Sequence, residues 1–128
     1  MPGIQFRVVP DPEGDSASFL TWFLPSQALT EKAIAAFKEA GIFAGNFYWF
    51  ANNWHYIRKW DHLKNAISLY PLSEAQQNAL IALQHADFSK SDAIMSKCIS
   101  TAISLLWTEE QVHEKGAKFL QVLQQTLS

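Results

Sequence analysis

Seven of the chain's seventeen aromatic residues fall between Phe47 and Trp60, in the run Phe-Tyr-Trp-Phe-Ala-Asn-Asn-Trp-His-Tyr-Ile-Arg-Lys-Trp. Within it Tyr48, Asn52, Asn53, Trp54, His55, Tyr56 and Arg58 set hydroxyl, amide, imidazole and guanidinium groups over an aromatic floor. That mixture suits a binding site, with an aromatic floor and polar groups presented over it. The same residues also suit an aromatic subcore with solvated tips, and the pattern alone divides the two readings evenly. His55 and His62 lie seven apart with Asp61 beside the second. Metal-binding helix pairs sit three or four apart, and no third ligand stands at a fixed offset, so this spacing does not argue for a metal. No Gly-rich phosphate loop, nucleophile elbow or zinc-protease helix occurs. Glu109 and Glu110 are explained by a helix dipole, Glu13 and Asp15 by a loop, and Cys98 by the small-hydrophobe role of a lone cysteine.

The elements that must position these residues follow from periodicity. Ile4–Val9 alternates as a short strand, and the Pro10–Asp15 stretch is a loop. Ser18–Leu24 places Phe19 and Phe23 on one face and Leu20, Trp22 and Leu24 on the other, so both faces want cover. After Pro25, Ser26 or Thr30 caps a helix carrying Leu29, Ala33, Phe37 and Ala40, and Gly41 stops it. Ile42–Phe50 reads as a second core strand ended by the Asn52-Asn53 turn, and Trp54 to about Asn65 as a helix burying Ile57, Trp60 and Leu63.

Further on, Ser73 and Gln76 form a capping box before a helix from Glu74 to about His85, with Ala79, Leu80 and Leu83 inward. Ser91 caps a short helix through Cys98, and Ile99–Leu106 reads as a strand with Ile99, Thr101, Ile103 and Leu105 on one face. Thr108 and Gln111 make a second box before a last helix, whose stripe is Val112, Gly116, Phe119, Leu120, Leu123 and Leu127. Gly116 suggests close contact with a neighbour. The expected fold is α+β: a small, mostly antiparallel sheet covered by helices on one face.

Composition bounds the function. At 128 residues the chain is of single-domain size, with 1–128 read as one domain. Charged residues are only 17% while 48% are hydrophobic, which leaves apolar surface for a partner. A formal charge of −2 withholds the attraction that nucleic acid or an anionic membrane needs, so neither is an expected partner. No basic-then-apolar leader and no spanning apolar run is present, and a soluble, cytoplasmic chain is expected.

The segment Ala40-Gly41-Ile42-Phe43-Ala44-Gly45-Asn46-Phe47-Tyr48, the ending Cys98-Ile99-Ser100-Thr101-Ala102-Ile103-Ser104-Leu105 and the following Thr108-Glu109-Glu110-Gln111-Val112 carry a family likeness. Together they resemble the carboxyl-terminal small domain of the DegT/DnrJ/StrS family, pyridoxal-phosphate-dependent aminotransferases acting mostly on nucleotide-linked keto sugars. The likeness extends over almost the whole chain and covers roughly the last third of a family member. It implies the fold of a fold-type I aminotransferase small domain, with Tyr48 and His55 near the sugar and Asn52, Asn53, Trp54 and Tyr56 around them. Phe47 stands where the family usually has histidine, and the strand near Ser104 lacks the usual proline.

The resemblance also implies what this chain does not supply. The family's Schiff-base lysine and the acid that pairs with the pyridine nitrogen belong to the large domain, and none of the eight lysines here stands in a comparable context. Pyridoxal phosphate is thus expected in a full-length enzyme and not as a cofactor of this chain, which by itself would be inactive. The implied partners are a large aminotransferase domain, or self-association as a dimer, and a sugar-like small molecule. The alternative is a stand-alone, non-catalytic binding or interaction module using the aromatic 47–60 stretch.

Overall fold

The alternation of Phe19–Phe23 makes it the middle strand of a three-stranded antiparallel sheet. The computed structural model describes residues 3–42, 50 and 56–127, and the chain divides into two compact units, Met1–Tyr48 with Ser96–Ser128, and Trp49–Met95. In the first unit the sheet order is β1 (Gln5–Phe6), β2 (Phe19–Phe23), β3 (Cys98–Ala102). Trp22 stands opposite both Phe6 and Ile99, and Phe23 opposite Gln5 and Cys98. Period-two alternation therefore sends Leu20, Trp22 and Leu24 to one face and Phe19, Thr21 and Phe23 to the other. Pairing runs past the strand ends, with the Leu24 amide donating to the Lys97 carbonyl at 3.1 Å and the Ile103 amide to that of Ser18 at 2.9 Å.

Two helices cover the Trp22 face. The first, α1 (Gln27–Glu39), begins where the Ser26 hydroxyl accepts from the Leu29 amide. It ends at Gly41 with φ +67°, the left-handed turn that glycine enters without a Cβ clash. There the Ile42 amide reaches the Phe37 carbonyl and the Gly41 amide that of Lys38, the paired bonds that satisfy orphan carbonyls at a helix end. The other helix, at Glu109–Leu127, starts from the reciprocal Thr108–Gln111 box read in the sequence. Trp22, Leu24, Ala33, Phe37, Ile99, Val122 and Leu123 form the buried core, with Phe37 stacked on Phe119 at 4.5 Å and edge-on to Trp22 at 6.3 Å. Buried Thr30 and Thr126 return their hydroxyls to the Ser26 and Val122 carbonyls, so neither leaves a polar group unpaired.

Four expectations change in this unit. The first strand is only Gln5–Phe6 and not Ile4–Val9, and Val8 is exposed. The last strand is Cys98–Ala102, and Leu105 and Leu106 beyond it are exposed because the chain turns there toward the Thr108 cap. Gly116 is in no close contact: a Cβ built there would meet nothing within 4 Å. The predicted strand Ile42–Phe50 lies mostly outside the described residues. Of its two described ends, Ile42 closes the α1 cap and Phe50 has helical backbone, so neither is in a strand.

The second unit is helical. Tyr56 leads into a 3₁₀ turn at Ile57–Lys59, followed by α2 (Asp61–Lys64), α3 (Glu74–Gln84) and α4 (Ser89–Met95), which makes the Glu109–Leu127 helix α5. The continuous helix expected from Trp54 is broken at Trp60, whose ψ of 82° cannot propagate a helix, and residues 51–55 are outside the described set. Ser73 and Gln76 form the expected capping box. Among the inward residues expected on α3, Leu80 and Leu83 are half-buried while Ala79 is exposed. The short helix starts at Ser89 and not at a Ser91 cap, because the Asp87 carboxylate accepts from the Ser89 amide at 2.8 Å; it ends at Met95, and Cys98 is already in β3. The two units together give the α+β class, an antiparallel sheet with helices on one face.

Candidate functional site

Tyr56 is the best-anchored polar residue of the second unit. The 3₁₀ turn after it projects Arg58 and Lys59, while α4 carries Asp92, whose amide donates at 2.8 Å to the carbonyl of Phe88 just before the helix. The Tyr56 hydroxyl donates to Asp92 Oδ1 at 2.7 Å, and Arg58 Nη1 donates to Asp92 Oδ2. One carboxylate thus takes a neutral and a charged donor on its two oxygens. Phe88 meets the Tyr56 ring edge-on at 6.1 Å, Phe50 lies tilted beside it at 6.2 Å, and the Lys59 ammonium sits 5.1 Å from the Phe50 ring centre.

Tyr56 is only 6% exposed. Burial first, and then the hydrogen bond to the Asp92 carboxylate, push its phenol up to about 12. A hydroxyl so far above neutral pH is a poor proton shuttle and a good fixed donor. This arrangement orders the segment just after Trp54-His55; it does not by itself make or break bonds. Nearby, the Asp87 carboxyl is held low by the Ser89 amide and hydroxyl, and Asp61 by the Lys64 ammonium.

Of the residues expected to bind substrate, Tyr48, Asn52, Asn53, Trp54 and His55 lie outside the described residues. Tyr56 is described, and its hydroxyl is already spent on Asp92. Asp92 was not among the candidates: it is 36 residues away, and nothing in its own surroundings, Lys-Ser-Asp-Ala, marks it. Arg58 was noted for its charge, but its partner could not be read from spacing. His62 stacks on Trp60 with ring centres 6.0 Å apart, and no group of three or more metal-ligating side chains occurs among the described residues. Burial raises the Cys98 thiol, which keeps it protonated and unreactive. No described helix is long and apolar enough to cross a membrane.

The chain was compared with known protein families, and no family model matches it.

Proposed function

We propose that this chain is the carboxyl-terminal small domain of a DegT-like, pyridoxal-phosphate-dependent aminotransferase acting on a nucleotide-linked keto sugar, non-catalytic by itself and cytoplasmic. What supports the reading is the coincidence of the family-like segments with element boundaries. Ala40-Gly41-Ile42 is the capped end of α1, Cys98–Ala102 is β3, and Thr108-Glu109-Glu110-Gln111 is the capping box that opens α5. The antiparallel sheet, covered on its Trp22 face and carrying exposed Phe19 on the other, suits a domain that packs against a larger one.

Pyridoxal phosphate would supply the electron sink for amino transfer, and this chain's residues do not fit it. Lys32 donates to the Thr126 carbonyl, Lys64 pairs with Asp61, and Lys59 and Lys115 lie over the rings of Phe50 and Trp107. The reading assigns the cofactor to the large domain. The part left to this chain is to shape the substrate wall: Tyr48 and His55 would hydrogen-bond the sugar or its diphosphate, with Trp54 stacking on a ring face. Tyr56, locked to Asp92, would fix the end of that wall.

The deciding experiment is an immunoblot of the source cells with an antibody raised against this chain. A polypeptide much heavier than 14.5 kDa, carrying the absorbance of bound pyridoxal phosphate, is the expected result. A 14.5 kDa species and nothing heavier overturns the reading in favour of the stand-alone binding module. In the heavier protein, His55→Ala should raise KM for the keto sugar, and unchanged kinetics would remove His55 from the site.

A further inference from the structure

The sheet face covered by α1 and α5 is not covered along its whole length. Leu123 and Phe119 of α5 pack against the core, but one and two turns earlier Gly116 and Val112 stand away from the sheet, so Phe6 and Leu20 remain exposed. The space between is a groove of about 540 Å³, floored by Trp22 and Leu123 and walled by Phe6, Leu20, Trp107 and Phe119. That volume lies within the ~300–1,000 Å³ typical of small-molecule sites, and the wall is mostly aliphatic and aromatic, as in such sites.

Charge then selects the occupant. Three charged side chains line the groove, Glu114, Lys115 and Lys118, so its lining is net positive on a chain whose formal charge is −2. The exposed Lys115 ammonium sits 5.1 Å from the Trp107 ring centre, which places a positive charge beside the groove wall. Lys118 lies three residues on, a neighbour on the same helix surface. Neither lysine has an ion-pair partner among the described residues.

We propose that this groove binds one free carboxylic acid with an apolar tail, the tail lying along Phe6, Leu20 and Phe119 and the carboxylate meeting Lys115 and Lys118. Burying the tail supplies most of the affinity, and the ammonium pair supplies the sign preference. The site goes beyond the aminotransferase reading and uses none of residues 47–60, so it stands or falls separately.

The test is calorimetric titration of the whole chain with monomeric sodium dodecanoate, with tryptophan fluorescence as a second readout. One molecule should bind per chain. Dodecyltrimethylammonium, with the same tail and the opposite charge, should bind markedly more weakly, and the double variant Lys115→Ala/Lys118→Ala should lose roughly fivefold in affinity for dodecanoate. Gly116→Leu should abolish binding, because the new side chain enters the groove, while circular dichroism shows the helix intact; leucine favours a helix over glycine. Equal affinity for the cationic amphiphile overturns the proposal, as does full binding by Gly116→Leu. Sedimentation with phosphatidylglycerol vesicles without binding of free dodecanoate would overturn it too, and identify a lipid surface as the partner.

Discussion

The two units of this chain are held together by different physics. In the first, seven apolar side chains from β2, β3, α1 and α5 and the Leu24 position share one core, and its two helices are anchored by caps at their starts. In the second, Tyr56 is the one buried residue among those described, while Ile67, Leu69, Tyr70, Ile81 and Ile94 are exposed, Leu69 to 98%. What orders the second unit is polar: the Ser73–Gln76 box, the Asp87 carboxylate on the Ser89 amide, the Asp92 lock, and the Gln84 amide on the Lys64 carbonyl. The difference follows from geometry. A sheet offers a flat face on which 13- and 19-residue helices can each bury a full stripe, whereas helices of four, eleven and seven residues have less stripe to bury, and no strand occurs among the second unit's described residues.

The comparison breaks most visibly at Phe37. Its ring is 1% exposed and touches both Trp22 and Phe119, so Phe37→Ala removes the centre of the first unit's aromatic cluster. The expected cost is about 3–5 kcal/mol, a large part of the ~5–15 kcal/mol that stabilises a domain. Chemical denaturation should show it as a fall in midpoint. Hydrogen exchange should locate it, with amides of β2, β3 and α5 losing most protection. Loss confined instead to residues 57–95 would mean that the second unit is the more cooperative of the two.

The polar lock breaks at Asp92. Asp92→Ala leaves the buried Tyr56 hydroxyl and one Arg58 donor without their acceptor, at a cost of about 1–3 kcal/mol, smaller than at Phe37 because Arg58 can turn to water. The lock also has a pH signature. The folded state holds the Tyr56 phenol near 12 against an ordinary 10.0, so it favours the protonated form. That contribution is complete below about pH 10 and is lost as pH rises toward 12. Absorbance of tyrosinate should therefore show Tyr56 titrating late in the native protein, and Asp92→Ala should lower its pKa, though burial keeps part of the rise. A Tyr56 phenol that ionises at its ordinary 10.0 in the native protein would remove the lock.

Legibility in the sequence follows the same division. Features set by neighbours within four residues were readable: both capping boxes, the Gly41 stop and the alternation of Phe19–Leu24 each appear where local chemistry puts them, and of the two residues read as able to cap α1, Ser26 or Thr30, Ser26 does. Those same features define the α+β class. What could not be read depends on distance along the chain. Asp92 meets Tyr56 across 36 residues, and the Phe37–Phe119 stack joins residues farther apart still. Of the helix read from Trp54 onward, the described part is a 3₁₀ turn and the four-residue α2, because spacing of apolar residues does not report the ψ at Trp60 that divides them. Gly116 misled for a related reason: a glycine in a helix signals that a side chain is missing, and it leaves open whether a neighbour or a groove takes the space.

The smallest expected effect is also the most direct comparison of the units, because each contains the same helix ending with a different residue at its centre. After α1, Gly41 takes φ +67°; after α2, Ala66 takes φ +53°, and again the following amide, Ile67, reaches back to the His62 carbonyl while Ala66 itself bonds Leu63. An alanine in the left-handed region carries a Cβ clash worth roughly 1–2 kcal/mol, partly offset by the greater freedom a glycine loses on folding. Ala66→Gly should therefore stabilise the second unit by about 0.5–1 kcal/mol, and Gly41→Ala should destabilise the first by a similar amount. Nothing lies within 4 Å of a Cβ at Gly41, so that cost would be conformational and not steric crowding by neighbours. Opposite signs in paired denaturation curves would show that the two turns obey one rule. A loss of stability in Ala66→Gly would mean that the α2 ending is held by something other than its backbone angle.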